Sequence, residues 1–464
     1  MGSYEPSASK EPWIETPLIE SSALSRAAGC RIFLKLENLQ PSGSFKSRAM
    51  GNQILWHLSK LSNANRRVHF YASSGGNAGL AAVCAARSLG YPCTVVVPLS
   101  TKPLMVQKLR DAGAADVIRY GENFAEAGEY MREVVMKNKT RNEINGHSNG
   151  EVDHGEDDDV VKIALHPFDH ESIWEGNSTI VDELAYQLPP SDDPDNDDRA
   201  LPVDAMICSV GGGGLLNGLI MGIERQSQMK PKKLSTTPST HEESEKKKKD
   251  TIHLLATETT GTASLALAIA HRSLVSLPRI TSQATSLGAV RVSARTLEYA
   301  LAPPPGVAVD SVVLDDADAA RGVLRLVDEE RILVELACGV CVEAAVGDGA
   351  AAAAGKQGMT MRQKKRKRSV VADEGYGTGT ETDVSSSSST TSSSSSDAGS
   401  ADAGDVQEQE QEQETLFRSK LRQLVPDLTP QSRVVIIVCG GSNVTIEMAT
   451  EWRRELERGW GRCE

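Results

Sequence analysis

The chain has 464 residues, and 39% of them are hydrophobic, so it contains enough apolar material to build buried cores. There are 50 Lys and Arg against 63 Asp and Glu, and the formal charge of −13 argues against binding of nucleic acid by the whole surface. The sequence shows neither an apolar run long enough to span a bilayer nor the N-terminal pattern of a secretory signal, so we expect no membrane partner.

The eight cysteines are scattered through apolar segments instead of being spaced as a small secreted framework. This usage predicts reduced thiols and a cytoplasmic protein. Cys338 and Cys341 form one CxxC pair, but no second pair of Cys or His accompanies it. Two buried cysteines are therefore favoured over a zinc site.

Short β-branched or apolar runs alternate along the chain with stretches of helical spacing. The runs are HFYASS, CTVVVP, ADVIRY, VDAMICSV, IHLLATET and RVVIIVCGG, and they are typical of strands buried in parallel sheets. The stretches AGLAAVCAARSLG and PLMVQKLRDAG end on glycine, as helices often do. This alternation predicts an α/β fold with parallel sheets, in which ligands bind at the carboxyl ends of the strands.

Four polar segments interrupt this pattern, at residues 137–160, 190–200, 226–250 and 347–414. None of them can bury a continuous apolar face, so we expect disordered insertions there. The last segment contains KKRKR, which resembles a nuclear-import signal. Inside such a loop, a solvated run of charge is the favoured interpretation.

Two loops near the N-terminus carry unusual residues. PSGSFK places Lys46 just before a helical stretch, where the positive end of the helix dipole disfavours the ammonium form and suits a nucleophilic amine. Taken alone, a surface lysine is more often simply solvated. The second loop, SSGGNAG, runs from Ser73 to Gly79, and its small residues let backbone N–H groups approach a carboxylate. A helix N-cap would explain one polar residue there, but not the whole cluster.

Two later loops follow predicted strands. SVGGGGLLNGL holds four successive glycines, Gly211 to Gly214, whose N–H groups can converge on a phosphate at a helix N-terminus. It lacks the Lys-Ser or Lys-Thr of a Walker loop and the glycine spacing of a dinucleotide site, so the phosphate of a smaller cofactor fits best. VVIIVCGGSN ends a strand on Cys439, which by itself is usually just a buried cysteine.

Together these loops resemble the serine dehydratase branch of the pyridoxal-phosphate (PLP) enzymes of the tryptophan-synthase β fold, also called fold type II. The motifs that carry the resemblance are PSGSFKSRAM, SSGGNAGLAA, IWEGNSTIVDEL, SVGGGGLLNGL, TETTGTASL, ITSQATSLGA, RILVELACG and VVIIVCGGSN. They cover essentially the whole chain outside the four insertions. The CGGSN and ILVELACG motifs point to the catabolic L-serine/L-threonine dehydratases within that fold.

By that resemblance, Lys46 is the catalytic residue: it binds PLP covalently and, once freed, takes the Cα proton of the substrate. The residues implied to bind the cofactor are Phe45, Lys46, Asn77, Gly211, Gly212, Gly213, Gly214, Leu215, Ser286 and Cys439. The residues implied to bind the substrate carboxylate are Ser74, Gly75, Asn77 and Ala78. A monovalent cation, K+, is implied at Gly211, Glu258, Thr262, Ser264, Leu287 and Ala289.

The resemblance also implies how these residues act. Phe45 and Ser286 would lie on opposite faces of the pyridine ring, and Ser286 takes the place of a small residue that is often alanine. Cys439 would face the ring nitrogen as a neutral or weakly donating thiol, which favours elimination over transamination. Thr262 departs from the usual alanine, and this matters little if only its carbonyl oxygen is used.

The resemblance implies a homodimer that converts L-serine to pyruvate and ammonia, and L-threonine to 2-oxobutyrate and ammonia. It implies a large PLP-binding domain at 1–39 and 161–464, and a small domain at 40–136 followed by the insertion at 137–160. Related enzymes remain as alternatives: serine racemase, cysteine synthase and biosynthetic threonine deaminase. A catalytically idle binding protein is the alternative from another class.

Overall fold

The computed structural model describes residues 11–61, 67–137, 160–189, 199–229, 251–347 and 419–461. Most of the four predicted insertions therefore lies outside the described residues. One boundary differs from the expectation, because the seventh helix continues to Met229, beyond residue 226. The side-chain amide of Gln226 donates to Asp182 Oδ1 at 2.8 Å, which keeps this last turn against the neighbouring helix.

Strands and helices alternate through most of the described chain. The strands are β1 Leu18–Glu20, β2 Arg31–Lys35, β3 Arg67–Ala72, β4 Cys93–Val97, β5 Asp116–Arg119, β6 Val160–Leu165, β7 Ala205–Ser209, β8 Ile252–Thr259, β9 Val307–Leu314 and β10 Arg433–Ile437. The helices are α1 Ser22–Ala28, α2 Lys46–Ser59, α3 Asn77–Ser88, α4 Pro103–Asp111, α5 Phe124–Tyr130, α6 Glu171–Gln187, α7 Gly214–Met229, α8 Ser264–His271, α9 Ala294–Leu301, α10 Asp316–Arg325, α11 Leu336–Val346, α12 Lys420–Leu424 and α13 Ile446–Glu457.

The strands form two sheets. The larger has the order β1-β2-β10-β7-β8-β9, in which only β1 pairs antiparallel, and the smaller has the order β5-β4-β3-β6 with every pair parallel. The predicted α/β class with parallel sheets is thereby confirmed. Each sheet has its own apolar core. Strands β4, β7 and β10 are buried at every residue, which explains their continuous apolar runs.

The described residues of both sheets belong to one compact unit. Strand β6 follows the insertion at 137–160 and pairs with β3 of the smaller sheet. The division into a small domain at 40–136 and a large domain made of 1–39 and 161–464 stays a prediction. Within the described ranges, no helix combines the length and the apolar composition needed to cross a membrane.

Short side chains fix where several helices begin. Ser21 Oγ accepts the N–H of Leu24 at the start of α1. At α10, Asp315 and Asp318 each accept the other's backbone N–H and so form a capping box. Such caps satisfy backbone donors that have no partner within the helix, and each stabilises its helix by about 1 kcal/mol.

Four buried charged side chains join the larger sheet to α2 and α6. Lys35 lies at the end of β2, Glu37 in the turn after it, Arg48 on α2 and Glu183 on α6, and each is at most 7% exposed. Arg48 bonds Glu37 through Nε at 2.9 Å and through Nη2 at 2.8 Å. It bonds Glu183 through Nη1 at 2.5 Å, and Lys35 Nζ donates to the same carboxylate.

Two cations thus meet two anions, and the cluster is electrically neutral. Thr16 adds uncharged contacts, because its Oγ1 donates to Glu37 at 2.6 Å and its carbonyl accepts from Lys35 Nζ at 2.7 Å. Burial of a charge is costly unless it is paired and hydrogen-bonded, and here every charged group is. The cluster therefore fixes α2 against β2 and α6.

We predict that Arg48→Met lowers the free energy of unfolding by about 3–5 kcal/mol, because it leaves Glu37 buried without its cation and Glu183 with Lys35 alone. Denaturant unfolding followed by circular dichroism measures this change. Arg453→Met is the matched control, since Arg453 pairs with Asp328 at 2.6 Å on the exposed surface and its loss costs at most about 1 kcal/mol. Equal effects of the two changes would contradict the role given to the buried cluster.

Candidate active site

Lys46 is the first residue of α2, at the carboxyl end of the larger sheet. The loop before Lys46 is held by the residues that follow β10. Ser44 pairs with Gly440, and the N–H of Phe45 donates to the carbonyl of Cys439 at 3.2 Å. Lys46 Nζ donates to the carbonyl of Pro167 at 2.8 Å and lies 5.1 Å from the centre of the Phe45 ring. Removal from water lowers the pKa of Lys46 to about 8.

This pKa changes what the lysine can do. An ordinary lysine is almost fully protonated near neutral pH, whereas a group with a pKa of about 8 is about one tenth free amine at pH 7 and half free amine at pH 8. A free amine can attack a carbonyl carbon or accept a proton. The position of Lys46 therefore supports the prediction of a nucleophilic amine.

The four glycines join β7 to α7. Gly213 has φ +91°, a conformation that favours glycine, and a Cβ there would lie 1.9 Å from Thr296 Oγ1. A Cβ on Gly212 would lie 2.2 Å from the ring of Phe168. The loop thus approaches its neighbours too closely for any side chain. Its N–H groups lie at the amino end of α7, where they have no partner within the helix and can bind a phosphate.

A turn at residues 166–169 connects Lys46 with this glycine loop. His166 Nδ1 accepts the N–H of Asp169 at 2.8 Å, and this bond closes the turn. Within the turn, Pro167 accepts the bond from Lys46, and Phe168 packs on Gly212. The sequence analysis missed this turn. The segment LHPFDH directly after an apolar run was the available signal, since Pro and Asp are typical of turns.

Cys439 follows β10 and is 4% exposed. Its Sγ lies 3.4 Å from Ser209 Oγ, at the end of the neighbouring strand β7. Cys338 and Cys341, at the start of α11, are also buried and lie beside it. The hydrogen bond to Cys439 raises the pKa of Cys338, and burial raises that of Cys341, whereas the bonds from both lower the pKa of Cys439.

The loop SSGGNAG joins β3 to α3, as expected. Ser74 Oγ accepts the N–H of Gly76 at 3.3 Å, and a Cβ on Gly79 would lie 1.8 Å from the carbonyl oxygen of Ser74. A Cβ on Gly75 would lie 2.7 Å from Thr101. Small residues are therefore required to close the turn that presents Asn77 at the amino end of α3. Ala78, next along the helix, is buried.

The side chain of Asn77 is bonded to two residues outside its own loop, Ser442 after β10 and Glu335 before α11. Its Oδ1 accepts the N–H of Ser442 at 2.9 Å, and its Nδ2 donates to Glu335 Oε1 at 3.1 Å. Glu335 also accepts a bond from Ser286 Oγ. Glu335 lies in the ILVELACG motif, and no role was predicted for it from the sequence. A charged residue within an apolar segment was the signal that marked it.

Glu258 lies at the carboxyl end of β8 and is fully buried. Its two carboxylate oxygens accept the N–H groups of Leu265 at 2.7 Å and Ala266 at 2.9 Å, in the first turn of α8. Burial raises the pKa of Glu258 to about 7. Within the part of the chain that the structure describes, no ion pair balances the charge of Glu258.

The other residues of the expected cation site lie in the surrounding loops. Ser264 Oγ lies 3.5 Å from the carbonyl oxygen of Gly211. Gly211 packs on the backbone of Leu287, where a Cβ would be 3.3 Å from the Leu287 Cα. The carbonyl of Leu287 accepts the N–H of Ala289 at 2.8 Å. The hydroxyl of Thr262 lies 2.7 Å from that of Thr259, so its side chain closes the turn before α8.

The contacts described above connect most of the predicted residues into one neighbourhood. Lys46 is connected to the glycine loop by the 166–169 turn, and Cys439 is connected to it by Ser209. The glycine loop also contacts Leu287, which is next to Ser286. Glu335 in turn bonds both Ser286 and Asn77. Leu215, directly after the glycines, is buried at the start of α7. A free amine, a set of helix-terminal N–H groups and a thiol are the donor set that the aldehyde, phosphate and ring nitrogen of PLP require. The residues present therefore fit this cofactor.

Comparison with known proteins agrees with this fit. Residues 10–361 match the model of the family described as pyridoxal-phosphate dependent enzyme. The chain is 38% identical over 326 residues to the L-serine dehydratase of Saccharomyces cerevisiae (strain AWRI1631), covering 70% of this chain and 83% of the relative. It is 34% identical over 331 residues to the L-serine dehydratase/L-threonine deaminase of Mus musculus, covering 71% and 82%.

Among solved structures, a fungal L-serine ammonia-lyase from Rhizomucor miehei superimposes with a TM-score of 0.62. The two are 25% identical, and the match covers 96% of this chain and 99% of that one. The family match extends over more than two thirds of the sequence and includes Lys46, the SSGGNAG loop and the four glycines from Gly211 to Gly214. The chain belongs to the family of pyridoxal-phosphate-dependent enzymes.

Proposed function

We propose that this protein converts L-serine to pyruvate and ammonia, by loss of water and then addition of water as the nitrogen leaves, and converts L-threonine to 2-oxobutyrate and ammonia in the same way. The observation that carries the proposal is the amine of Lys46, which has a pKa of about 8 and is held by Pro167 beside the glycine loop. The substrate assignment is supported by the names of relatives that are 34–38% identical over most of their length.

When bound, PLP supplies an electron sink for the Cα of the amino acid. Lys46 accepts the Cα proton, since its lowered pKa leaves much of the amine unprotonated at mildly basic pH. The carbonyl of Pro167, 2.8 Å from Nζ, keeps the amine directed towards the glycine loop. Elimination follows because the β-carbon of serine or threonine carries a hydroxyl that leaves as water.

The remaining residues of the site, which lie in loops, would bind the cofactor and the substrate. The N–H groups from Gly211 to Leu215 would bind the cofactor phosphate, with Phe45 and Ser286 on the two faces of its ring and Cys439 at its nitrogen. The substrate carboxylate would be held by Ser74, Gly75, Asn77 and Ala78. This second set lies at the N-terminus of α3 and has small side chains, so backbone N–H groups there can donate to a carboxylate.

We also propose a cytoplasmic homodimer with a K+ site at Glu258. Reduced thiols support the compartment, since the seven cysteines in the described ranges are all free. The cation is supported by the fully buried carboxylate of Glu258, which accepts hydrogen bonds from the backbone N–H groups of Leu265 and Ala266. A hard monovalent cation suits carboxylate and carbonyl oxygens.

We predict that Lys46→Ala lowers the rate of keto-acid formation from L-serine by at least about 1,000-fold, because the base is lost. The variant should keep its fold and bind PLP without a covalent bond. Lys60→Ala is the matched control, since Lys60 lies directly after the other end of α2. Keto acid is measured with a coupled reductase. Near-normal turnover by Lys46→Ala would refute the proposed function.

A second prediction concerns the cation. Because burial raises the pKa of Glu258 to about 7, its carboxyl group becomes protonated as the pH falls through that value, and its attraction for K+ is lost. The K+ concentration that gives half-maximal activity should rise by about tenfold between pH 8 and pH 6. Glu258→Gln should remove this pH dependence. Full activity in a bulky organic cation alone would exclude the site.

A third prediction compares two replacements of Cys439. Asp places a full negative charge at the ring nitrogen and favours its protonated form, whereas Ser is neutral at every relevant pH. We expect Cys439→Asp to form keto acid more slowly and to give more transamination product, while Cys439→Ser stays active. Chromatography of the products after a fixed number of turnovers measures the ratio. Identical behaviour of the two variants would show that Cys439 does not contact the ring.

A further inference from the structure

Glu335 is the residue before α11, and it has an unusual arrangement for a helix N-cap. Its backbone carbonyl accepts the N–H of Cys338 at 2.9 Å, which is ordinary for this position. Its side chain makes no capping bond to its own helix and extends into the site instead. The residue is 4% exposed, and burial raises the pKa of its carboxyl group.

Three donors meet on this carboxylate. Oε1 accepts from Asn77 Nδ2 at 3.1 Å and from the N–H of Asn443 at 2.7 Å, and Oε2 accepts from Ser286 Oγ. These three bonds all come from neutral groups, and Lys108 and Lys102 act on the carboxylate only through their charge, at longer range. Glu335 therefore serves as an acceptor for neutral groups.

The three donors come from three different loops around the site. Asn77 begins α3, beside the smaller sheet, while Ser286 and Asn443 belong to loops beside the larger one. A Cβ on Gly441 would lie 2.3 Å from Glu335 Cδ, so the backbone closes directly over the side chain. Lys108 Nζ donates to the carbonyl of Ser442, and this bond joins α4 to the same loop.

We propose that Glu335 is a positioning residue, which fixes the amide of Asn77 and the hydroxyl of Ser286 in the orientation that the reaction needs. This inference rests on the proposed function, because that proposal assigns the substrate and the cofactor to Asn77 and Ser286. Glu335 touches neither of them and acts through the two side chains. What the position requires is an acceptor oxygen shared by Asn77 and Asn443.

The requirement distinguishes two substitutions of similar size. Glu335→Gln keeps one acceptor oxygen for Asn77 and Asn443, and its amide group can donate to Ser286, whose hydroxyl can also accept. Glu335→Met fills the same space but accepts from none of them. We expect kcat/KM for L-serine to fall by about 10- to 100-fold in Glu335→Met, with a raised KM. Glu335→Gln should stay within about tenfold of the wild type.

Glu343→Met is the matched control on the same helix. Glu343 is also buried, with Arg325 Nε at 3.1 Å and Arg321 Nε at 3.7 Å, and burial raises the pKa of its carboxyl group. Its replacement should lower the unfolding temperature and leave kcat/KM and KM per folded molecule unchanged. A merely structural role of Glu335 would give the same result as this control.

A double-mutant cycle tests whether Glu335 acts through Asn77. The dissociation constant of PLP is measured by fluorescence on the apoprotein for wild type, Glu335→Met, Asn77→Ala and the double variant. If Asn77 transmits the effect, the second substitution adds less than threefold once the first is present. Independent, multiplying effects on PLP affinity would overturn the proposal.

The two proposals can fail separately. Wild-type protein that forms no keto acid from serine refutes the proposed function, and the PLP affinities still decide the role of Glu335. Active wild type with an equally active Glu335→Met variant overturns the inference alone. It is also overturned if Glu335→Gln is as impaired as Glu335→Met, because a shared acceptor oxygen would then not suffice.

Discussion

The buried contact of Arg48 with Glu37 and Glu183 determines where the reactive lysine lies. Arg48 is two residues after Lys46 on α2, and its guanidinium is bonded to a turn after β2 and to α6. Helix α2 therefore cannot slide or rotate without separating buried charges, which would cost several kcal/mol. Because α2 is fixed in this way, a single hydrogen bond to the carbonyl of Pro167 is enough to orient Nζ of Lys46.

Much of the fold could be predicted from local pattern. The apolar runs that form β3, β4, β5, β7, β8 and β10 were assigned correctly as parallel strands. In β4, β7 and β10, burial at every residue leaves a continuous apolar signal. Strands β1, β2, β6 and β9 were not predicted. Most residues of β1, β6 and β9 are only partly buried or exposed, so their sequences lack a continuous apolar run, and the buried run of β2 is short because charged residues, Arg31 and Lys35, stand at its two ends.

The residues of the site also fall into those that could be predicted from the sequence and those that could not. Lysine, glycine and asparagine loops were visible because each stands at the end of a predicted strand or the start of a predicted helix, and the resemblance gave their roles. Glu335 and the 166–169 turn were missed because their meaning depends on distant partners. Asn77 and Glu335 are 258 positions apart, and Lys46 and Pro167 are 121 apart. No pattern within a short window contains such a contact.

The place of β10 in the larger sheet has a consequence for synthesis of the chain. Of the strands in the described ranges it is made last, yet it lies between β2 and β7, and the residues after it bond the loop that carries Lys46. During translation, the sheet consequently has a gap at its centre until residues 433–441 have left the ribosome. A chain that ends before them lacks both Cys439 and the strand that joins β2 to β7. The loop that carries Lys46 then lacks its bonds to Cys439 and Gly440, so the site is completed only when residues 433–441 have been added.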